Sequence, residues 1–148
     1  PMSHELVTDY NQIDDHIFIG TNQCCVLHFK DELLKMGIMS DISLEAERID
    51  AAEGVDSYLW LPVIDHTAPS QNQLGQGVTF IAELVKQNQK MYVHCMNGHG
   101  RSPTLVAAYY ISMGLSVDDA IEKIRLQRAE IHINEVQRKA LELFSKKK

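Results

Sequence analysis

A cysteine and an arginine lie six positions apart in the decapeptide at residues 94–103, whose sequence is HCMNGHGRSP. Cys95 is a potential nucleophile, and Arg101 carries a planar fork of N–H donors that matches two phosphate oxygens at once. Ser102 adds a hydroxyl directly after the arginine. Glycines between the two allow successive backbone amides to converge on an anion. These residue types and this spacing predict a site at which a thiolate attacks a bound phosphate group.

The segments on either side of the decapeptide predict how this site is built. Residues 91–94 are typical of a short buried strand, and residues 104–113 are apolar, lack glycine and proline, and are long enough for a helix. A strand, a tight loop and a helix start aim backbone N–H groups at an anion. We expect these amides, the helix N terminus and Arg101 to keep the thiol of Cys95 ionised at neutral pH.

The remaining residues of the decapeptide receive supporting roles. We expect the substrate phosphate to contact the loop, that is, Met96, Asn97, Gly98, His99, Gly100 and Arg101. His94 is expected to fix the loop from outside it. Ser102 has two open roles: it donates a hydrogen bond to the sulfur, which eases departure of the sulfur as a leaving group, or it caps the helix, with Pro103 in the first turn.

An oxygen leaving group of high pKa needs a proton, so the site requires a general acid. Asp65 is the best candidate because it opens a loop directly after a predicted strand, whereas the other acidic residues resemble solvated helix faces. His66, its neighbour, is an alternative acid or a residue that shapes the loop.

Composition predicts a single domain over residues 1–148. Of these residues 45% are hydrophobic and 23% are charged, which is typical of a globular protein. The net charge of −6 argues against a strongly basic nucleic-acid surface. The sequence contains no apolar run of the roughly 20 residues that a membrane span needs, and we expect no signal peptide.

The chain has three cysteines, an odd number that includes the adjacent pair Cys24 and Cys25. This pattern indicates neither a disulfide framework nor a zinc site, so we expect no metal and a reducing, cytoplasmic setting. Cys24 and Cys25 are predicted to be helix core residues. The alternative is that one of them forms a protective disulfide with Cys95 under oxidation.

Strands and helices are predicted to alternate along the chain. The strands cover residues 17–20, 38–42, 58–64 and 91–94, and the helices cover 21 or 22 to about 36, 45–53, 71–89, 101–113, 116–128 and 134–146. This order predicts the α/β class, with a central, mostly parallel sheet of four to five strands flanked by helices. Cys95 then lies at the carboxyl end of a strand, where such sheets bind ligands.

Three segments of the chain resemble a known family. The pattern His94-Cys95-x5-Arg101-Ser102 resembles the signature loop of cysteine-dependent protein tyrosine phosphatases, in particular the compact dual-specificity group of archaeal and atypical type. Residues 62–70, PVIDHTAPS, resemble the acid loop of that group, and residues 13–20, IDDHIFIG, resemble its first strand. The resemblance covers about residues 10–145 and implies a protein tyrosine phosphatase-like fold.

The resemblance implies a reaction in two steps without cofactor or metal. Cys95 attacks phosphorus while Asp65 protonates the leaving oxygen, and Asp65 then activates the water that releases phosphate from the phosphocysteine. A glutamine positions this water in the family, which suggests Gln137 here, with Gln127 or Asn134 as alternatives. The chain departs from the family where Arg128-Ala129-Glu130 replaces Arg-Pro-Gly before the last helix.

The substrate implied is a phosphorylated protein, because a shallow pocket without a tyrosine-recognition insert admits phosphoserine and phosphothreonine as well as phosphotyrosine. A phosphoinositide or RNA 5′-phosphate phosphatase of the same fold is an alternative. Lipid phosphatases of this type usually add lysines in the loop, where this chain has Met96, Asn97 and His99. The loop also binds free phosphate or other oxyanions, and no strong nucleic-acid or membrane signal accompanies it.

Two further alternatives belong to other functional classes. A rhodanese-like sulfurtransferase has a loop one residue shorter and no use for the acid-loop segment. A phosphate-dependent binding or scaffold protein with little turnover typically lacks the cysteine or the arginine, whereas this chain retains Cys95 and Arg101.

Overall fold

The computed structural model describes residues 9–147, which form a five-stranded sheet flanked by helices. The strands are β1 (Tyr10–Gln12), β2 (Ile17–Gly20), β3 (Ile38–Glu45), β4 (Ser57–Val63) and β5 (Lys90–His94). The helices are α1 (Asp31–Lys35), α2 (Gln71–Lys86), α3 (Arg101–Ser112), α4 (Val117–Arg125) and α5 (Glu135–Lys146), and a 3-10 turn covers Asn22–Cys25. The strand order is β1-β2-β5-β3-β4, and only β1 runs antiparallel to its neighbour. The predicted α/β class and mostly parallel sheet are confirmed.

Strand β5 contributes side chains to both faces of the sheet. Side chains alternate between faces along a strand, so Met91, Val93 and then Cys95 join the core that contains the large helices. Tyr92 lies on the opposite face, in a second core with Phe18 and the cysteines of the 3-10 turn. His94 follows Tyr92 by two residues and therefore lies on this second face, behind Cys95.

Helix α3 occupies the centre of the helical layer. It packs against α2, α4 and α5 as well as β3 and β5. Every residue from Arg101 to Ile111 is buried, which explains why its sequence is apolar on all sides and lacks a polar stripe. Burial on all sides fixes the position of its N terminus, and with it the position of the loop that precedes it.

Several predicted elements differ from the structure. The helix predicted from residue 21 or 22 to about 36 is wrong: the 3-10 turn ends at Cys25, irregular chain follows, and only α1 is helical. The helix predicted at 45–53 is also wrong, because β3 continues to Glu45 and residues 46–56 form an irregular loop. Strand β1 was not predicted. The other predicted helices and strands are present, with ends shifted by up to three residues.

Within residues 9–147, no helix combines the length and the apolar character that crossing a lipid bilayer requires.

Candidate active site

The loop at residues 95–100 joins β5 to α3 and places Cys95 under the first turn of the helix. The Cys95 side chain is buried, and its Sγ atom lies 3.3 Å from the Ser102 hydroxyl oxygen. Gly100 is the N-cap residue of α3, and no side chain among residues 9–147 caps this helix start. The first amides of the helix therefore lack a capping side chain, and such a helix start favours an anion. Ser102 contacts the sulfur, as one of its two predicted roles requires.

Gly98 is the point at which the loop turns back against β2. Its φ is +70°, in the left-handed region that favours glycine. A Cβ atom added there would lie 2.6 Å from the Gly20 carbonyl oxygen, so the loop and the end of β2 approach too closely for any side chain. Glycine at this position allows both the backbone conformation and the contact.

Arg128, which the sequence did not indicate as a site residue, holds the loop from outside. Its fully buried guanidinium donates through Nε to the Gly98 carbonyl at 3.0 Å and through Nη2 to the Asn97 carbonyl at 2.9 Å. Nη1 donates to the Asn11 side chain at 2.7 Å, and Asp9 lies 3.4 Å from Nη2. Two loop carbonyls thus accept hydrogen bonds from one cation, which holds this part of the loop in place.

The Arg101 guanidinium is buried and is held from three sides. Its two terminal nitrogens donate to the Glu47 carboxylate at 2.7 and 3.0 Å, and Nη1 also donates to the Val63 carbonyl at 2.8 Å. Asp65 Oδ1 lies 3.3 Å from Nη2. Nε has no hydrogen-bond partner among the described residues although it is buried. The terminal nitrogens of the fork, which the sequence predicts to hold two phosphate oxygens, are thus engaged by Glu47 and Val63, and Nε is the donor left without a partner among the described residues.

The charges around Arg101 determine its ionisation and that of Glu47. Burial alone would lower the pKa of Arg101, but the hydrogen bond to Glu47 and the charges of Cys95, Glu47 and Asp65 outweigh it and raise that pKa. The hydrogen bond from Arg101 in turn lowers the pKa of Glu47. Glu47 is a second site residue that the sequence did not indicate, since it lies in the segment predicted as a charged surface helix.

Asp65 is the second residue of the loop that joins β4 to α2, and it lines the same pocket as the loop at residues 95–100. Its side chain is 46% exposed, and its Oδ1 accepts from the His66 backbone N–H at 2.9 Å. His66 has a φ of +68°, and its side chain is 88% exposed, with Nε2 3.6 Å from Asp65 Oδ2. The sharp turn at His66 aims the carboxylate of Asp65 towards Arg101.

The N terminus of α5 closes the pocket on the side of the acid loop. Asn134 and Gln137 form a reciprocal capping box there. Asn134 Nδ2 donates to the His66 carbonyl at 3.0 Å, and Gln137 Nε2 donates to the Thr67 carbonyl at 3.2 Å. Both side chains line the pocket, whereas the exposed Gln127 does not. These two hydrogen bonds hold the acid loop against α5.

The resulting pocket has a volume of about 180 Å³. The residues that line it are Asp65, His66, Cys95, Asn97, His99, Gly100, Arg101, His132, Asn134 and Gln137. His132, not indicated by the sequence, donates its backbone N–H to the His99 carbonyl at 2.7 Å. The structure thus brings Cys95, Arg101 and Asp65 together, while Met96 is exposed beside the pocket and Gly98 lies beneath it.

His94 is fully buried behind the loop, outside the pocket. Its Nδ1 lies 3.2 Å from the Cys95 carbonyl, and its Nε2 lies 2.7 Å from Asp50 Oδ2 and 3.2 Å from Asp41 Oδ1. Burial alone would lower the pKa of His94, but the two carboxylates outweigh it and raise that pKa. For Asp41, in contrast, burial is the main cause of a raised pKa, because burial disfavours the charged carboxylate. His94 connects the loop to an acidic cluster on the second face of the sheet.

Comparison with known proteins identifies the class to which this geometry belongs. The profile described as "Dual specificity phosphatase, catalytic domain" matches residues 17–147. The chain belongs to the dual specificity phosphatase family, within the cysteine-dependent protein tyrosine phosphatase superfamily. The resemblance stated from the signature loop is confirmed.

Among curated proteins, the chain is 31% identical over 147 residues to phosphatidylglycerophosphate phosphatase PTPMT2 of Arabidopsis thaliana, covering 93% of this chain and 63% of the relative. It is 38% identical over 90 residues to human phosphatidylglycerophosphatase and protein-tyrosine phosphatase 1, covering 60% of this chain and 45% of the relative. Human dual specificity protein phosphatase 1 is 30% identical over 107 residues, which cover 71% of this chain and 29% of that protein. The chain thus spans less than two thirds of these relatives.

Solved structures share the fold over most of its length. PTPMT1 in complex with PI(5)P superposes with a TM-score of 0.79 at 28% identity, covering 93% of this chain and 95% of that one. Tk-PTP in the active form has a TM-score of 0.79 at 25% identity, covering 94% and 97%. The predicted protein tyrosine phosphatase-like architecture is confirmed.

Proposed function

We propose that this phosphatase hydrolyses phosphotyrosine and phosphoserine or phosphothreonine esters of proteins through a phosphocysteine formed on Cys95. The observation that carries the proposal is the shared pocket of Cys95, Arg101 and Asp65 at the N terminus of α3. A nucleophile, an oxyanion-binding fork and a proton donor are the three groups that phosphate monoester hydrolysis requires.

In the first step, the Cys95 thiolate attacks phosphorus as the bond from phosphorus to the ester oxygen breaks. Asp65 donates its proton to the departing oxygen, which leaves as a neutral alcohol or phenol. The α3 amides and the free Nε–H of Arg101 bind the phosphoryl oxygens, on which negative charge is concentrated. Glu47 holds the rest of the guanidinium in place, so this donor is oriented before the substrate arrives.

In the second step, a water attacks the phosphocysteine as Asp65 takes its proton, and inorganic phosphate is released as the S–P bond breaks. Ser102, 3.3 Å from Sγ, donates a hydrogen bond that stabilises the departing thiolate. Gln137 lines the same pocket beside Gly100 and is proposed to position this water. Because the mechanism needs a free thiol, we propose that the protein works in a reducing, cytoplasmic setting.

A phospholipid monoester is a second candidate substrate, favoured by the similarity to plant and human phosphatidylglycerophosphate phosphatases. The lack of a lysine at Met96, Asn97 and His99 disfavours inositol polyphosphates, which need cations for additional phosphates. It does not disfavour a lipid that presents a single terminal phosphate monoester, because Arg101 and the loop amides suffice for one such group.

The test compares kcat/KM on phosphotyrosine and phosphothreonine peptides with kcat/KM on phosphatidylglycerophosphate and PI(5)P in mixed micelles. We expect the peptides to be turned over at least about tenfold more efficiently than either lipid, a difference of about 1.4 kcal/mol in transition-state binding. A preference of that size for a lipid would replace the protein substrate with the second candidate. The Cys95→Ser variant is the control and removes turnover of every substrate.

A further inference from the structure

Five potential metal ligands meet on the second face of the sheet, behind the phosphate-binding loop. They are Cys24, Cys25, Asp41, Asp50 and His94, each offers one ligand atom, and these atoms all lie within 4.8 Å of one another. All five residues are buried. We call this group the rear cluster. It is separate from the pocket, because none of its members lines the pocket that contains Cys95.

The rear cluster contains buried negative charge without enough partners. Both carboxylate oxygens of Asp41 and the Oδ1 atom of Asp50 lack a hydrogen-bond partner among the described residues, as does Oε1 of the adjacent, buried Glu45. Two cationic groups of the described chain lie nearby. The His94 ring is within 4 Å of the carboxylates of Asp41, Glu45 and Asp50. The Arg48 guanidinium lies 3.9 Å from Glu45 and from Asp50. Three buried carboxylates thus share one imidazole and one guanidinium, and buried charge that is incompletely neutralised is costly, so the cluster is suited to a further cation.

Distances from the His94 ring agree with those expected around a tetrahedral ion. Zinc bonds of about 2.0 Å to nitrogen or oxygen and about 2.3 Å to sulfur place a nitrogen ligand about 3.3 Å from an oxygen ligand and about 3.5 Å from a sulfur ligand. His94 Nε2 lies 3.2 Å from Asp41 Oδ1 and 3.7 Å from Cys25 Sγ. The 2.7 Å distance to Asp50 Oδ2 is shorter, as for a direct hydrogen bond in the absence of an ion.

We propose that the rear cluster binds one Zn²⁺ ion through His94, Asp41, Asp50 and a cysteine sulfur. Imidazole and thiolate ligands favour zinc over magnesium or calcium, which prefer oxygen ligands alone. The structure places the sulfur atoms of Cys24 and Cys25 in bonding contact, as in a disulfide between neighbours. Zinc binding therefore uses the reduced dithiol and competes with this bond.

The proposed site is structural, because every ligand is buried and no ligand position opens to the pocket. It would connect the 3-10 turn, β3, the loop at residues 46–56 and the end of β5. Glu47, the partner of Arg101, lies in that loop, and Cys95 follows His94 directly. The ion would therefore hold in place both the loop that contains Glu47 and the end of β5 that precedes Cys95. Sequence spacing does not indicate this site because its ligands come from four separated segments.

The direct test is metal analysis of the full chain, purified in zinc-containing medium under reducing conditions. We expect about one zinc per chain. Replacement by Co²⁺ is expected to produce a thiolate-to-cobalt charge-transfer absorption, which reports the sulfur ligand independently of activity. Asp41→Asn and Cys25→Ser are expected to lower zinc content at least about tenfold. Asp15→Asn, at an exposed aspartate outside the cluster, and Cys95→Ser are matched controls that retain it.

Two results would overturn the proposal. The first is a zinc content far below one per chain in reduced wild-type protein whose three thiols all titrate. This result would mean that protons and Arg48 alone neutralise the cluster. The other is bound zinc whose anomalous X-ray scattering peak lies away from His94. Both measurements use wild-type protein, so the proposal remains testable even if the Asp41 or Cys25 variants do not fold.

Discussion

Replacing Glu47 with glutamine removes the negative charge that holds Arg101 in place. The Glu47 carboxylate accepts from both terminal nitrogens of Arg101 at 2.7 and 3.0 Å, while glutamine offers one carbonyl oxygen and turns an N–H₂ group towards the cation. Hydrogen bonds to charged groups contribute about 1.5–3 kcal/mol. Because the Glu47 side chain is 33% exposed, solvent screening reduces this value. We expect a loss of about 1–2 kcal/mol at pH 7, or roughly 3–8 °C in Tm.

The loss is expected to depend on pH in a defined direction. The pKa of Glu47 is lowered in the folded protein, chiefly by the hydrogen bond from Arg101. A carboxyl group with a lowered pKa stabilises the fold above its unfolded pKa, about 4.3, and this contribution is lost as the pH falls through the folded value. The difference in stability between wild type and Glu47→Gln is therefore expected to be full above about pH 5 and to shrink at lower pH.

The assay is urea unfolding of both proteins at pH values from about 3.5 to about 7, in steps of about half a unit, which suffice to follow the titration of one carboxyl group. Glu142→Gln is the matched control: Glu142 also pairs with an arginine, Arg138, at 3.2 Å, but both side chains are largely exposed. Its effect is expected to stay below about 0.5 kcal/mol. A Glu47→Gln effect no larger than this control, or one that grows as the pH falls, would show that the Glu47 carboxylate does not stabilise the fold through Arg101.

Three further predictions concern the pocket. Arg128→Lys leaves the carbonyls of loop residues 97 and 98 without their present donors. It is expected to lower the free energy of unfolding by about 2–4 kcal/mol and to raise the inhibition constant of inorganic phosphate. An unchanged phosphate affinity would contradict the positioning role of Arg128. Asp65→Asn is expected to slow phosphothreonine turnover by about 10²–10⁴-fold. The effect on p-nitrophenyl phosphate is expected to be smaller, because the leaving group of that substrate needs no proton. Equal effects on both substrates would contradict the general-acid role. Arg101→Lys keeps the charge but removes the Nε–H donor and the paired hydrogen bonds to Glu47. Most activity is therefore expected to disappear, and near-normal kcat/KM would contradict this role.

The sequence predicts the β5-loop-α3 unit because its determinants are local. Strand, glycine-containing loop and helix lie in adjacent residues, and the reactive types Cys95 and Arg101 fall at its turn. The same holds for Asp65, whose position after β4 follows from a strand pattern that ends next to it. Local patterns therefore suffice to predict both halves of the pocket.

The segment at 46–56 was not predictable in this way. Its charged residues have the composition of an exposed helix, but the structure pairs Glu47 with Arg101 and Asp50 with His94, residues 54 and 44 positions away. Tertiary ion pairs, which local propensity does not contain, determine the irregular path of this loop. Arg128 was missed for the same reason, since its partners are carbonyls of a loop about 30 residues earlier.

Catalysis through a phosphocysteine at Cys95 can be tested by trapping the covalent intermediate. Wild-type protein is mixed with a phosphotyrosine peptide, quenched in alkaline denaturant during steady-state turnover, digested at alkaline pH and analysed by mass spectrometry, because the S–P bond of a phosphocysteine hydrolyses readily in mild acid. We predict a phosphate adduct on the peptide that contains Cys95, and its absence in Cys95→Ser. An adduct on any other residue, or sustained turnover by Cys95→Ser, would contradict catalysis through a phosphocysteine at this position.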